Sequence, residues 1–149
     1  MNPDARLLRS DAIKLGLTAH DKTDALTQAG ALLVEIGAAT DAYAAAIHER
    51  ETSISTYIGE GVAIPHGTNE SREHIERAAL GFLQYPHGVD WDGETVYACI
   101  PIASKSEEHV DILSTLAQVL MDPTKASQLR EASTIEDVLS LLSPTTTKE

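Results

Sequence analysis

The sequence contains little cysteine and few aromatic or basic residues. Among its 149 residues there is one cysteine, one tryptophan and one phenylalanine. A single cysteine cannot form a disulfide within the chain, which fits the reducing conditions of the cytoplasm. The 11 lysines and arginines are outnumbered by 23 acidic residues, giving a formal net charge of −12. This excess argues against a nucleic-acid or anionic-membrane partner, since both need basic side chains, and favours a basic protein partner.

Long apolar runs are also missing. No segment approaches the roughly 20 apolar residues that a membrane-spanning helix needs. The first six residues lack the apolar core of a signal peptide, so we expect a cytoplasmic protein. Hydrophobic residues make up 42% of the chain and charged residues 23%, which is typical of a globular protein. The length predicts a single domain over residues 1–149, with a frayed tail from residue 143.

Hydrophobic periodicity and capping residues predict strands that alternate with helices. Asp21 is expected to cap a helix that runs to about Ile36, and Thr40 a second helix from Asp41 to about Glu51. Further helices are predicted over about 107–121, 124–131 and 135–142. Strands are predicted over 12–17, 62–64, 78–85 and 94–102, with a turn-rich segment over 86–93. This order indicates an α/β fold in layers.

The most informative segment runs from Gly59 to Asn69. Its apolar residues 62–64 predict a short buried strand that Pro65 ends. His66 would then lie at the carboxyl end of the strand, where open α/β sheets bind ligands, with Gly67 directly after it. A histidine placed there can meet an anionic partner, although Pro65-His66-Gly67 taken alone favours an ordinary surface turn.

Arg50 has an unusual place in the second predicted helix. Tyr43, Ile47 and Arg50 are spaced i, i+4, i+7, so the arginine shares the inward-facing apolar stripe. An arginine at the inner end of a helix pairs with a buried carboxylate, caps carbonyl groups or serves an anion site. The residues leave these three possibilities open.

His109 heads an apolar stripe in the long helix predicted near the C-terminus. Leu113, Leu116 and Leu120 follow it at i+4, i+7 and i+11, and the histidine falls in the first turn, where backbone N–H groups favour anions. A lone histidine on an apolar face is more often a core residue. Together, however, His66, His109 and Arg50 form a set suited to phosphate: one imidazole to attack phosphorus, and a second imidazole and a guanidinium to hold its oxygens.

Other chemistries find little support in the sequence. There is no Cys-x-x-Cys pair and no His-x-x-x-His pair, so we expect no metal site and no cofactor. Cys99 lies in an apolar strand and is interpreted as a small core residue. The remaining histidines are expected to be solvated: His20, His48, His74 and His87.

Two runs carry a family resemblance, from Tyr43 through His48-Glu49-Arg50-Glu51 and from Ser55 to Thr68. They closely resemble the mannitol/fructose-type IIA domain (EIIA type 2) of the bacterial phosphoenolpyruvate-dependent sugar phosphotransferase system. The likeness continues through residues 84–91 and the Glu-His of residues 108–109, and covers about residues 12–142. It implies a mixed sheet flanked by helices on both sides.

The resemblance also implies a function. The chain would be a cytoplasmic phosphocarrier in which His66 accepts a phosphoryl group from phospho-HPr, as a tele-phosphohistidine. His66 would pass the group to a cysteine of a IIB domain, for sugar uptake through the membrane component IIC. His109 and Arg50 would stabilise the phosphoryl group, without metal or cofactor. Thr68 and the segment Gln84-Tyr85-Pro86 look more like the mannitol branch than the fructose branch.

Two other functions are compatible with the same residues. A nitrogen-type IIA paralogue would bind regulatory targets according to its phosphorylation state and would feed no sugar. A domain that has lost phosphorylation would only mediate contacts, although the presence of His66, His109 and Arg50 together speaks against this alternative.

Overall fold

A mixed five-stranded sheet forms the centre of the fold. The computed structural model describes residues 8–68, 70–104, 114 and 116–142. Its strands, in chain order, are Ile13–Lys14 (β1), Tyr57–Gly59 (β2), Val62–Ala63 (β3), Ala79–Leu80 (β4), Phe82–Trp91 (β5), Glu94–Cys99 (β6) and Ile102–Ala103 (β7). The large sheet has the order β1-β5-β6-β3-β2, and β4 pairs with β7. β1 is parallel to β5 and β3 to β6, whereas the pairs β5–β6, β2–β3 and β4–β7 are antiparallel.

The helices begin where the sequence places capping residues. They are Lys22–Glu35 (α1), Asp41–Ser53 (α2), Pro123–Arg130 (α3) and Ile135–Leu141 (α4), with a further helical stretch over residues 116–120. The Asp21 side chain accepts a hydrogen bond from the N–H of Asp24, as expected of an N-cap. Thr40 occupies the cap position of α2, but its side chain makes no capping bond. None of the helices in the described part of the chain is long and apolar enough to cross a membrane.

Neighbouring residues of β5 reveal the layers. The Gln84 amide nitrogen donates to the carbonyl oxygens of Arg130 and Ala132, at the end of α3, at 3.2 and 2.7 Å. The hydroxyl of Tyr85 instead donates to Oε1 of Gln28, in α1, at 2.8 Å. Successive residues of a strand point to opposite faces, so α1 and α3 cover opposite faces of the sheet. The predicted arrangement, a mixed sheet between helical layers, is confirmed.

The hairpin of β5 and β6 differs from the sequence prediction. The segment 86–93 was expected to be turn-rich, but β5 continues to Trp91 and the turn is only Asp92-Gly93. Both turn residues have positive φ, 54° and 97°, which suits the right-handed twist of a two-residue hairpin. The register of β5 against β6 shifts between Gln84 and Val89, so the intervening Pro-His-Gly sits in a bulge. Proline and glycine are tolerated in a strand at such a bulge.

Two other predicted strands are shorter than expected. The strand expected over 12–17 is reduced to β1, because a 3-10 turn, Ser10–Ala12, precedes it and Gly16 with φ 68° follows it. The strand expected over 94–102 is split around Pro101 into β6 and β7, which belong to different sheets. Cys99, the last residue of β6, is fully buried, and its burial raises the pKa of the thiol, as fits a core residue.

Candidate functional site

Backbone hydrogen bonds hold the two residues that precede His66. After β3 the N–H of Ile64 donates to the carbonyl of Thr56 at 3.0 Å. The carbonyl of Pro65 accepts from the N–H of Ile102, in β7, at 2.9 Å. His66 therefore follows directly on a segment that is fixed on both sides, at the carboxyl end of β3 where the sequence predicted it.

The ring of His66 is oriented by one bond of its own. Its Nδ1 lies 2.8 Å from the carbonyl oxygen of Ile64. A carbonyl can only accept, so Nδ1 carries the proton, and the lone pair of the neutral ring is on Nε2. Burial of the half-exposed ring lowers its pKa, and the charges of Arg50 and Arg72 act in the same direction. Together these effects outweigh the Ile64 hydrogen bond and the Glu51 charge, which raise the pKa, so the neutral imidazole predominates at pH 7.

Gly67 is held against helix α2. Its N–H donates to the hydroxyl of Tyr43 at 3.0 Å, and that hydroxyl donates to the carbonyl of Ile102 at 2.7 Å. A Cβ atom on Gly67 would lie 2.6 Å from Cε1 of Tyr43 and 2.5 Å from Oγ of Ser71. Only glycine fits, because no larger residue can approach the tyrosine ring this closely. Burial raises the pKa of Tyr43, which keeps its hydroxyl able to donate.

Arg50 has one of the three roles that the sequence left open, the capping of carbonyl groups. It is half-buried in the last turn of α2, and its Nη1 donates to the carbonyl of Ile54 at 2.7 Å. The guanidinium thus caps the chain just after the helix. Its charge also reaches His66, where it lowers the pKa of the ring. His109, the third predicted site residue, lies outside the described residues, which end at Ser104 on one side and resume at residue 114.

Three residues near His66 were not predicted as part of a site: Tyr43 as a hydrogen-bonding group, Glu51 and Arg72. Glu51 is 6% exposed and completes the stripe Tyr43, Ile47, Glu51 at i, i+4, i+8. This spacing fits an inward-facing stripe as well as the i+7 position of Arg50 does, and could have pointed to Glu51. Arg72, in the 3-10 segment Glu70–His74, gave no sequence signal, because its proximity depends on the turn after Gly67.

Metal chemistry has no support in the part of the chain that the structure describes. Within those residues, no group of three or more histidine, cysteine, aspartate or glutamate side chains is placed to hold an ion. His20 and His87 are exposed and His48 and His74 half-buried, the last two facing Thr27 and Glu73.

A neutral imidazole with its lone pair on Nε2, under the electrostatic influence of two guanidinium groups, suits a histidine that carries an anionic group. Comparison with known proteins gives the family. Residues 6–144 match the model of the phosphoenolpyruvate-dependent sugar phosphotransferase system EIIA 2 family. The chain belongs to this family.

Individual relatives agree with this assignment. The mannitol-specific phosphotransferase enzyme IIA component of Staphylococcus aureus strain Mu50 is 39% identical over 134 residues, covering 90% of this chain and 93% of the relative. The mannitol-specific EIICBA component of Vibrio cholerae is 36% identical over 94% of this chain, which spans only 22% of that longer protein. Among solved structures, the complex of enzyme IIAMTL and phosphorylated enzyme IIBMTL from Escherichia coli matches with a TM-score of 0.85 and 31% identity, covering 93% of this chain and 99% of that one.

Proposed function

We propose that this chain is a cytoplasmic phosphocarrier, a single domain over residues 1–149, which accepts a phosphoryl group from phospho-HPr on Nε2 of His66. It then passes the group to the cysteine of a IIB domain, for uptake of mannitol through a membrane IIC component. The observation that carries the proposal is the 2.8 Å bond from Nδ1 of His66 to the Ile64 carbonyl. This bond selects the tautomer with a nucleophilic Nε2.

Each transfer step is balanced without a proton relay. Nε2 of His66 attacks phosphorus, the new N–P bond forms as the N–P bond of HPr breaks, and the HPr imidazole leaves neutral. The proton stays on Nδ1 of His66 throughout, hydrogen-bonded to the Ile64 carbonyl. In the second step a cysteine thiolate of IIB attacks phosphorus, the S–P bond forms, and His66 leaves as neutral imidazole. Such transfers depend on positioning and on charge stabilisation.

Arg50 and His109 are proposed to bind the phosphoryl oxygens. For Arg50 the support is its half-buried position and its electrostatic effect on His66. For His109 the support is the match of its Glu-His context to the family. In addition, the N–H of Ile102 donates to the carbonyl of Pro65, so the chain passes next to the His66 segment shortly before residue 105.

Mannitol and the partners are proposed from the relatives. The Escherichia coli IIAMTL structure is a complex with phosphorylated IIBMTL, and the Vibrio cholerae protein is named as a mannitol-specific EIICBA component. The Staphylococcus aureus relative, matched over 93% of its length, is a mannitol-specific IIA component. A IIB acceptor and a membrane IIC component follow for this chain by analogy.

The proposal is tested by incubating the purified chain with phosphoenolpyruvate, enzyme I and HPr. We expect one acid-labile phosphoryl group, placed on His66 by mass spectrometry under alkaline conditions and assigned to Nε2 by NMR. His66→Ala should take up none, and His87→Ala, which alters an exposed histidine in the bulge of β5, should be labelled normally. Full labelling of His66→Ala would contradict the assignment.

The acceptor is tested separately. The phosphorylated chain is mixed with a IIB domain from a mannitol-specific system and, in parallel, with one from a fructose-specific system. Faster loss of phosphohistidine to the mannitol IIB is expected. Equal loss to both, or loss to neither, would contradict the mannitol assignment, and loss to neither would favour a regulatory role.

A further inference from the structure

Glu51 is the acidic side chain that the fold buries. It is 6% exposed, and no other charged side chain within the described residues is buried to this degree. Burying a carboxylate is unfavourable unless hydrogen bonds and an opposite charge compensate for its lost hydration. A residue of this kind in the last turn of α2, next to Arg50, needs a physical explanation.

Four donors converge on this carboxylate. Oε1 accepts from the Thr56 hydroxyl at 2.6 Å, and Oε2 accepts from the Thr56 N–H and from Nε1 of Trp91, both at 3.0 Å. Nζ of Lys22 lies 3.1 Å from Oε2. Burial alone would raise the pKa of Glu51, but the bonds from Thr56 and the charge of Lys22 outweigh it and lower the pKa. The group is therefore ionised, and its oxygens are satisfied.

Two further hydrogen bonds connect this carboxylate to His66. Thr56, held by Glu51 through both its N–H and its hydroxyl, accepts the N–H of Ile64 on its carbonyl at 3.0 Å. The carbonyl of Ile64 in turn accepts Nδ1–H of His66 at 2.8 Å. The path from Glu51 to the imidazole thus passes through Thr56 and Ile64 only, and each step is a hydrogen bond.

The same carboxylate shapes the segment that carries Arg50. Its bonds to Thr56 close the loop between the last turn of α2 and β2. Within that loop the Arg50 guanidinium is bonded to the Ile54 carbonyl. The position of Arg50 therefore depends on this loop, which the hydrogen bonds between Glu51 and Thr56 hold closed.

We propose that Glu51 is a positioning residue for phosphoryl transfer: through Thr56 and Ile64 it fixes His66 with Nδ1 protonated and Nε2 nucleophilic. It also holds the loop that places Arg50. The inference rests on the proposed role of His66 as phosphoacceptor. A purely structural Glu51, joining α1, α2 and the β5–β6 turn through Lys22 and Trp91, would stabilise the fold without this effect on the imidazole.

Glutamine is the informative substitution. In Glu51→Gln the amide oxygen can replace Oε2 as acceptor for the Thr56 N–H and Trp91, while the amide NH₂ can donate to the Thr56 hydroxyl, which then accepts. Glu51→Gln therefore keeps the hydrogen bonds that position Thr56 and Trp91 but removes the negative charge. In Glu51→Leu no acceptor remains, and the Thr56 N–H and the Trp91 indole lose their partner. If Glu51 acts by positioning Thr56, Glu51→Gln should retain the transfer activity that Glu51→Leu loses.

The first readout is the tautomer of His66 in the unphosphorylated protein, from ¹⁵N chemical shifts of the ring. We expect wild type and Glu51→Gln to show the Nδ1–H form and Glu51→Leu to show a mixture of tautomers. The second readout is transfer from phospho-HPr. In Glu51→Leu we expect kcat to fall by about 10- to 100-fold, the scale seen when a partner that orients a metal-binding imidazole is lost, with KM changed less. Glu51→Gln should stay within about threefold of wild type.

Gln84→Leu is the matched control. It removes an equally buried polar side chain that bonds the Arg130 and Ala132 carbonyls on the opposite face of the sheet. It should reduce stability, yet leave the tautomer of His66 and the rate per folded molecule unchanged. If Glu51→Leu fails to fold, Thr56→Val replaces it, because it removes only the 2.6 Å hydroxyl bond and should still shift the tautomer.

The outcomes separate the two proposals. A pure Nδ1–H tautomer with an unchanged rate in Glu51→Leu or Thr56→Val would overturn the positioning role, and so would an equal loss of kcat in Gln84→Leu. If wild type takes up no phosphoryl group, the proposed function fails, whereas the tautomer measurement still decides whether Glu51 orients the ring.

Discussion

The N–H of Gly67 donates to the hydroxyl of Tyr43 at 3.0 Å, so the residue after His66 is tied to helix α2 by a side chain. On the other side of His66 the Ile64 N–H is bonded to Thr56. The histidine backbone is therefore held from both directions, by α2 through Tyr43 and by the start of β2 through Thr56.

Removal of the Tyr43 hydroxyl should affect both stability and transfer. Tyr43→Phe leaves the Gly67 N–H and the Ile102 carbonyl without this partner, and we expect a loss of about 1–3 kcal/mol in the free energy of unfolding, together with slower acceptance from phospho-HPr. Urea unfolding and stopped-flow transfer measure the two effects. Tyr85→Phe removes another buried tyrosine hydroxyl, which bonds Gln28, and should leave transfer unchanged. Equal transfer rates in the two variants would contradict the role of Tyr43.

Gly67→Ala should be more damaging at the site than its size suggests. The new methyl group would lie 2.6 Å from the Tyr43 ring, so either the ring or the His66 turn must move. We expect transfer to fall more than tenfold, because small misplacements of a reacting group have large effects on rate. Gly37→Ala is the control: it introduces strain at φ 76° in open space after α1, and should lower stability without changing transfer. A normal rate in Gly67→Ala would mean that the turn adapts.

Loss of either proposed phosphate-binding group should slow transfer without unfolding the protein. Arg50→Ala and His109→Ala are each expected to reduce the rate by about 10²-fold or more, the scale for removing one preorganised charge-stabilising donor. Arg50→Lys keeps the charge but not the planar fork, and should recover only part of the rate. Circular dichroism checks the fold. Wild-type transfer rates would contradict the phosphate-binding roles and favour the alternative interpretations, Arg50 as a capping residue and His109 as a core residue.

The low pKa of His66 predicts the pH range of its activity. Burial, with the charges of Arg50 and Arg72, lowers the pKa below the ordinary 6.5. Protonation would remove the Nε2 lone pair, so acceptance should fall as the pH is lowered, with a midpoint below pH 6.5. NMR titration of the His66 ring measures this without interference from the donor. Arg72→Gln removes a charge that lowers the pKa, so its titration should move to higher pH; a wild-type midpoint above 6.5 would contradict the prediction.

The acidic excess predicts how the donor docks. The chain has a net charge of −12, which should attract a basic face of phospho-HPr. Salt screens this attraction over about 8 Å at physiological ionic strength, so the bimolecular transfer rate should fall as the salt concentration rises. The step within the complex should change little. Ile54, just after α2, and Ile58, in β2, are 68% and 44% exposed and offer apolar surface for docking. Ile54→Ser should lower the rate at every salt concentration without altering the slope. A bimolecular rate independent of salt would contradict electrostatic steering and indicate that docking depends on apolar contact alone.

The sequence predicted those features that depend on neighbouring residues. Asp21 marks the start of α1 locally, and residues 62–64 with Pro65 mark the short strand before His66. It did not predict the role of Glu51, because the donors Trp91 and Lys22 are distant in sequence and come close only in the fold. The extent of β5 was missed for a related reason: Pro, His and Gly resemble a turn until β6 supplies a partner for the bulge.

The Gln84 side chain has a consequence for how the protein opens. Its amide nitrogen donates to the carbonyls of Arg130 and Ala132 at the end of α3, its Oε1 accepts the N–H of Gly16, and its backbone carbonyl accepts the N–H of Leu17. One residue in the middle of the chain thus fastens a segment near each end, about residues 16 and 131. Neither segment can detach without exposing a buried amide, so both are coupled in a single cooperative unit. Amide hydrogens of Gly16 and of the last helices should accordingly exchange with solvent through a shared opening event rather than by independent fraying.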